Sequence, residues 1–441
     1  MAAVTAEAAG PAHPRLRTGF AGAAVLVVVG IVSTTLGQEQ LLGRIPLTNL
    51  LKNALHESRT DTSAFFFLAG LAWYFKPLAG VLTDAFPIFG SRRKVYLAAS
   101  ASAGALVWVS VCFLPSTFTA LLAAMVLLGV FMMLASTVVG AVLVETAQAN
   151  AASGRLTALR FAVQYACIIV GALAGGWLAT LWFGWTALAC AAVLFLIAPT
   201  ALIFLKEEPV RADAPAIIAE AGRQLKRIFT AGPMWAAGGL IALFYIAPGF
   251  TTALFYRQQN ELHMLPPAQG LLSTAAALGG VAGAVTYAFA CRRLKLRALM
   301  MIALALATVT TLGYVFYDTV PRAYAIAVVN TFCEAMATTA LVDLSVRATP
   351  RGSEGLGYAL MISINNLARI GTDFLGSLML DKLHLPFSTL VLTNAATTAI
   401  AVPLVLLLPA ALVMRREDEA GLQSVERLVG GEQPGAFDTP T

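Results

Sequence analysis

The chain has 441 residues, 59% of them hydrophobic and 12% charged, with a formal net charge of +6. Soluble domains carry roughly a quarter of their residues as Asp, Glu, Lys and Arg, and a single core in water stops growing at about 250–300 residues. That composition excludes a water-soluble body and specifies an all-α polytopic membrane protein, whose basic excess marks topology and not nucleic acid.

A spanning helix needs about 20 mainly apolar residues. Apolar runs separated by polar breaks predict twelve: 19–42, 62–83, 95–114, 117–145, 156–182, 185–205, 234–256, 267–290, 298–317, 322–346, 356–381 and 387–413. Residues 1–18 form an N-terminal segment with Arg15 and Arg17. The run that follows is too long for the apolar core of a signal peptide and is expected to stay as the first span. The longest internal polar stretch, 206–233, carries KEEPVRADAP and then the amphipathic-looking AIIAEAGRQLKRIF. It divides the chain into six-helix bundles at 19–205 and 234–413, with a polar tail from 414 to 441.

Twenty-one of the 29 Lys and Arg fall in segments that face the cytoplasm if the amino terminus does. Six, namely Arg44, Lys52, Arg59, Arg257, Arg322 and Lys382, fall in outer ones. The bias predicts both termini inside, in the cell (inner) membrane. The five cysteines are scattered singly and the four histidines are isolated, so neither a metal site nor a cofactor is expected. No Gly-Lys-Ser/Thr phosphate loop is present, which argues against ATP as direct driver. Dispersed acids and few histidines also argue against a membrane enzyme.

The two halves echo each other. VETAQANAASGRLTALRFAVQ after the fourth span and VDLSVRATPRGSEGLGYALMIS after the tenth both place an acid at a helix end, then a basic loop, then a fresh helix. Parallel repeats with a site between them are a transporter architecture.

The most specific stretch is FKPLAGVLTDAFPIFGSRRKVYL, Phe75 to Leu97. Gly80 and Asp84 lie one helical turn apart on one face. The glycine is expected to permit close helix contact, and the carboxylate to meet Arg92, Arg93 or the amino end of a neighbouring helix. The Gly-x-x-x-Asp and Gly-x-Arg-Arg pattern resembles the loop signature of the major facilitator superfamily. The fuller string Lys76, Pro77, Leu78, Gly80, Asp84, Phe86, Pro87, Ile88, Phe89, Gly90, Arg92, Arg93, Tyr96, Leu97 resembles the folate-biopterin transporter family within it. A second match runs from Pro350, Gly352 and Glu354 through Ala359, Leu360, Ser363, Asn366 and Leu367. The resemblance implies the major facilitator fold, alternating access and a folate or pterin substrate. Arg369 and Asp373 stand where it implies small or apolar residues, and Tyr287 where a repeat of Asp84 would stand.

Ionisable residues deep in spans usually face a cavity and have a partner, because a charge at the bilayer centre costs at least about 2.5–3.5 kcal/mol. Glu334 and Arg369 both fall near midplane of antiparallel neighbours, and Asp373 lies one turn beyond Arg369. Two readings stand. In one, Arg369 grips an anion while Glu334 or Asp373 competes and carries a proton; in the other, a static ion pair pins two helices. Glu334, Arg369, Asp373, Lys76 and Asn365 make up the candidate binding and coupling set. Gly80, Asp84, Arg92, Arg93, Glu145, Arg160 and Asp343 make up a candidate cytoplasmic gate. The expectation is a monomeric secondary transporter for a small anion, coupled to protons and embedded in lipid. The alternatives are another organic anion, a peptide fragment or a drug as substrate, or a non-transporting pigment or assembly factor on the same fold.

Overall fold

The computed structural model describes residues 20–149, 153–207, 209, 213–349 and 354–414. The two terminal segments, residues 350–353 and the side chains of Glu145 and Glu354 lie outside that description. The described residues are almost wholly helical. In chain order the helices are α1 (Phe20–Leu36), α2 (Arg44–Asn49), α3 (Arg59–Ala69), α4 (Leu71–Tyr74), α5 (Lys76–Ala85), α6 (Lys94–Val111), α7 (Phe118–Ala149), α8 (Ser153–Leu178), α9 (Phe183–Phe195) and α10 (Ile197–Phe204). They continue with α11 (Ala214–Thr230), α12 (Gly232–Tyr245), α13 (Thr251–Asn260), α14 (Pro266–Arg293), α15 (Leu296–Leu312), α16 (Val320–Ala348), α17 (Glu354–Asp381), α18 (Phe387–Leu404) and α19 (Ala410–Val413).

The twelve apolar runs all become helix, but five are interrupted. Proline and glycine explain most of the breaks, since proline removes a helical N–H and clashes with the preceding turn. Pro77 sits at the start of α5, Pro199 in the first turn of α10, and Pro248-Gly249 between α12 and α13. The first run departs most from expectation: α1 stops at Leu36, and 37–43 is irregular because Gly37 and the polar Gln38-Glu39-Gln40 triplet interrupt the apolar face. Among the described residues, seven stretches are long and apolar enough to cross a bilayer, from Lys94–Val111 to Phe387–Leu407. The amphipathic stretch of the connector forms α11.

The chain divides into two compact units: Met1–Leu225 with Thr251–Thr274, and Lys226–Phe250 with Ala275–Thr441. The boundary therefore falls inside α11, and a segment of the expected second bundle packs with the first. Each unit has its own apolar core. In the first, Trp108, Phe65, Phe66, Met125, Leu128 and Met132 are fully enclosed. In the second, Met300, Leu304, Leu344 and Val405 are.

The repeat seen in sequence recurs in packing. In the first unit α6 packs on α7 and α9, and α1 on α7, α8 and α9. In the second, α15 packs on α16 and α18, and α12 on α16, α17 and α18. Counting spans within each half, these are the same neighbours in the same order, the pattern that a duplicated six-helix bundle produces.

Candidate functional site

Glu334 projects from α16 and Arg369 from α17, two helices that pack together within the second unit. Both side chains are solvent-accessible despite their midspan positions, and each feels the other's charge. The buried Tyr245 hydroxyl of α12 lies within hydrogen-bonding reach of Thr338 and Asn365 and faces both charges. Tyr314 faces Glu334 from beyond α15, beside Asn330. Asn330 Oδ1 in turn accepts hydrogen bonds from Thr310 and Thr311, each at 3.2 Å. Three helices thus place an anion, a guanidinium fork, a phenol and amides around one accessible polar patch. A guanidinium grips a planar carboxylate through two parallel hydrogen bonds.

Asp373 lies elsewhere on α17. It is buried, with its backbone against the break between α12 and α13, where the Gly249 N–H donates to Thr372 O at 2.9 Å. Gly376 meets the Gly249 carbonyl so closely that a methyl group at 376 would collide with it. The glycine is required there by backbone-to-backbone approach.

Lys76 belongs to the first unit. Its ammonium donates to Ser136 Oγ at 3.0 Å and stands 5.4 Å over the Trp73 ring. Arg160, expected at the gate, contributes its positive charge to the surroundings of Lys76. Two cations therefore share the interior of this bundle.

The signature loop closes on itself. Asp84 Oδ1 pairs with Arg92 at 2.9 Å and with Arg93 at 2.8 Å, and Arg93 also donates to Thr83 Oγ1 at 3.3 Å. Ile88 and Ser91 exchange backbone hydrogen bonds of 3.0 and 2.9 Å around a two-residue turn in which Phe89 (φ 51°) and Gly90 (φ 77°) are both left-handed. That turn type asks for glycine; Phe89 accepts the strain and stands 95% exposed. Glu207, just past α10, accepts a 2.5 Å hydrogen bond from Ser91 Oγ and another, of 3.1 Å, from the Lys94 N–H that opens α6. A carboxylate at a helix amino end is well placed, but Glu207 is far away in sequence and gave no sign of this role. Gly80 corrects an expectation: a Cβ there would meet only Thr137, at an ordinary 3.9 Å. Close helix contact does not require glycine at 80.

In the second unit Arg347 holds Asp343 by a bidentate pair, Nε to Oδ1 and Nη2 to Oδ2, both 2.9 Å, and Tyr287 donates to Oδ2 at 2.9 Å. Tyr287 thus takes part in this cluster as a hydrogen-bond donor.

A dense polar contact that the sequence did not announce ties Thr251–Thr274 to the first unit. The Tyr256 hydroxyl bonds Thr62 Oγ1 at 2.9 Å and donates to Glu57 O at 2.6 Å. Gln259 accepts from Lys52 at 2.8 Å and donates to Asn49 at 3.2 Å. Arg44 donates to Thr252 Oγ1 at 3.3 Å while its guanidinium lies 3.6 Å from the Phe66 ring centroid. Gly176 and Gly270 meet backbone to backbone. Around this contact, partial burial pulls the Lys52 ammonium below its usual range, and burial together with Asp61 pushes the Glu57 carboxyl up.

The fold is that of solved facilitator-type transporters. The chain is similar to a D-xylose-proton symporter (15% identity, TM-score 0.64, 88% of this chain and 98% of that one) and to a nucleoside transporter (12%, 0.69, 88% and 99%). That fold and the apolar spans define the class as an integral membrane protein built on a transporter fold. Residues 37–427 match the BT1 family, and the chain belongs to it. Among its relatives are the "Folate-biopterin transporter" of Synechocystis sp. (25% identical, 84% of this chain and 78% of that protein) and "Folate transporter 1" of Plasmodium falciparum (23%, 78% and 71%). The "Probable folate-biopterin transporter 2" of Arabidopsis thaliana is 32% identical over 20% of this chain and 17% of its own.

Proposed function

We propose that this chain is a secondary active transporter, a symporter that carries a folate- or pterin-like anion together with protons moving down their gradient. The observation that carries the reading is Glu334 on α16 and Arg369 on α17, exposed residues on packed helices within range of each other's charge, with Tyr245 and Asn365 beside them. The names of the relatives supply the substrate class. While Glu334 is ionised it competes with substrate for Arg369. A proton on Glu334 removes that competitor and leaves the guanidinium to a substrate carboxylate. Lys76 belongs to the binding set of the first unit, where Arg160 adds positive charge beside it, and Asp373 supports the backbone turn at Gly249.

The protein works as a monomer in the cell (inner) membrane, with both termini cytoplasmic. Bundles 19–205 and 234–413 alternate in access about the site, linked by 206–233. The Asp84–Arg92–Arg93 and Tyr287–Asp343–Arg347 clusters, with Glu145, serve as cytoplasmic closures that break and re-form. The test is equilibrium binding of folate to purified, detergent-solubilised protein. Arg369→Ala is expected to weaken binding by roughly tenfold or more, the loss of a charge-assisted bidentate contact, while Glu334→Gln makes binding independent of pH. Unchanged affinity in a folded Arg369→Ala protein overturns the site.

A further inference from the structure

Glu39 lies in the irregular segment after α1 and is fully buried. One carboxylate oxygen accepts a 3.4 Å hydrogen bond from the Gln40 amide; the other, Oε2, has no hydrogen-bond partner. Gln40 Oε1 accepts from Arg44 Nη1 at 3.2 Å, and Arg44 Nη2 donates to Thr252 Oγ1 at 3.3 Å. A relay of four side chains therefore runs from a buried acid to the segment 251–274. The charged and titratable groups around Glu39 are Arg44 in α2, Tyr74 in α4 and the Cys190 thiol in α9. Arg44 is the cation among them.

We propose that Glu39 is a proton-binding site whose charge state sets how firmly Arg44 holds Thr252, so that proton uptake fastens segment 251–274 to the first unit and proton release loosens it. An ionised carboxylate attracts the Arg44 guanidinium and draws it away from Thr252. A neutral carboxyl exerts no such pull and leaves the contacts of Arg44 with Gln40 and Thr252 in place. Burying an ionised carboxylate with one oxygen unsatisfied is far costlier than burying a neutral one. No covalent change is involved: the proton comes from solvent, binds Oε2 and returns to solvent.

The inference deepens the proton coupling proposed above and takes the chain to be a transporter, but it does not depend on Glu334 or on the substrate. The test is backbone hydrogen exchange across 251–274 in the purified full-length protein without substrate, corrected for intrinsic rates, from about pH 5 to about pH 9. Infrared difference spectra over the same range report the carboxyl C=O band. The wild type is expected to lose protection in 251–274 by roughly tenfold as pH rises. Glu39→Gln should keep full protection at every pH and lose part of the carboxyl band. Thr252→Val, which removes the acceptor, should lower protection at every pH and retain the band. A pH-independent wild type, or Glu39→Gln with the wild-type pH response, overturns the proposal. Abolition of that response by Glu334→Gln, with Glu39→Gln unaffected, also overturns it and moves the proton site to the second unit. Failure of folate binding with the Glu39 response intact sinks only the substrate reading.

Discussion

Asp84 shows what a signature residue does physically. It is one-third exposed, yet it faces two arginines, of which Arg93 is only 8% exposed. Removing its charge leaves a nearly buried guanidinium with weaker compensation. Asp84→Asn is expected to lower stability by about 1–2 kcal/mol, less than a fully buried pair would lose because solvent screens the carboxylate. A thermal-shift measurement in detergent checks this, and an unchanged midpoint would place the pair among inert surface ion pairs. Glu57 gives a pH-dependent case. Burial, then the Asp61 charge, raise its carboxyl above the ordinary 4.5. The folded state therefore holds the proton more tightly than the unfolded one. The stability it contributes is complete below about pH 4.5 and fades as pH rises through the raised value. Glu57→Gln should flatten that part of the unfolding profile. At this scale the sequence was legible where charge met a special spacing: the Asp84–Arg92–Arg93 cluster follows from one loop, and Glu334 with Arg369 from charges in apolar runs. It was not legible where a partner came from elsewhere in the chain. Glu207 and Tyr256 are ordinary residues in sequence and acquire their roles only through tertiary contact.

Elements were legible in number more than in continuity. Hydropathy reports burial over about 20 residues and is blind to a local break, so the runs were found while their interruptions at Phe75, Leu196 and 246–250 were not; the polar Gln38-Glu39-Gln40 triplet did mark the end of the first helix. Prolines at 77, 199 and 248 were the available signal. The break at 246–250 has a structural consequence, because it lets Gly249 lie directly against α17 at Thr372 and Gly376. Gly376→Ala must push two backbones apart and is expected to cost roughly 1–3 kcal/mol, as overpacking does, with little change at Gly80→Ala, where the space for a methyl group is open. Comparing the thermal midpoints of the two alanine variants checks both statements at once; equal losses would contradict them. Gly80 is the counterexample to reading small residues as helix contacts from spacing alone.

At the scale of the whole chain, two compact units repeat one neighbour map with different chemistry. The first carries the cations Lys76 and Arg160 and the buried Glu39; the second carries the Glu334–Arg369 pair. A duplicated scaffold leaves each half free to specialise its interior, and the repeat was visible in loops and packing. The central claim is that substrate anion and proton meet on Glu334 and Arg369. The most direct measurement is uptake of radiolabelled folate into proteoliposomes, with and without an inward proton gradient, for the wild type and Arg369→Ala. The account predicts saturable uptake that the gradient stimulates and that the variant, correctly inserted, loses. Gradient-stimulated uptake of normal rate in Arg369→Ala would contradict it.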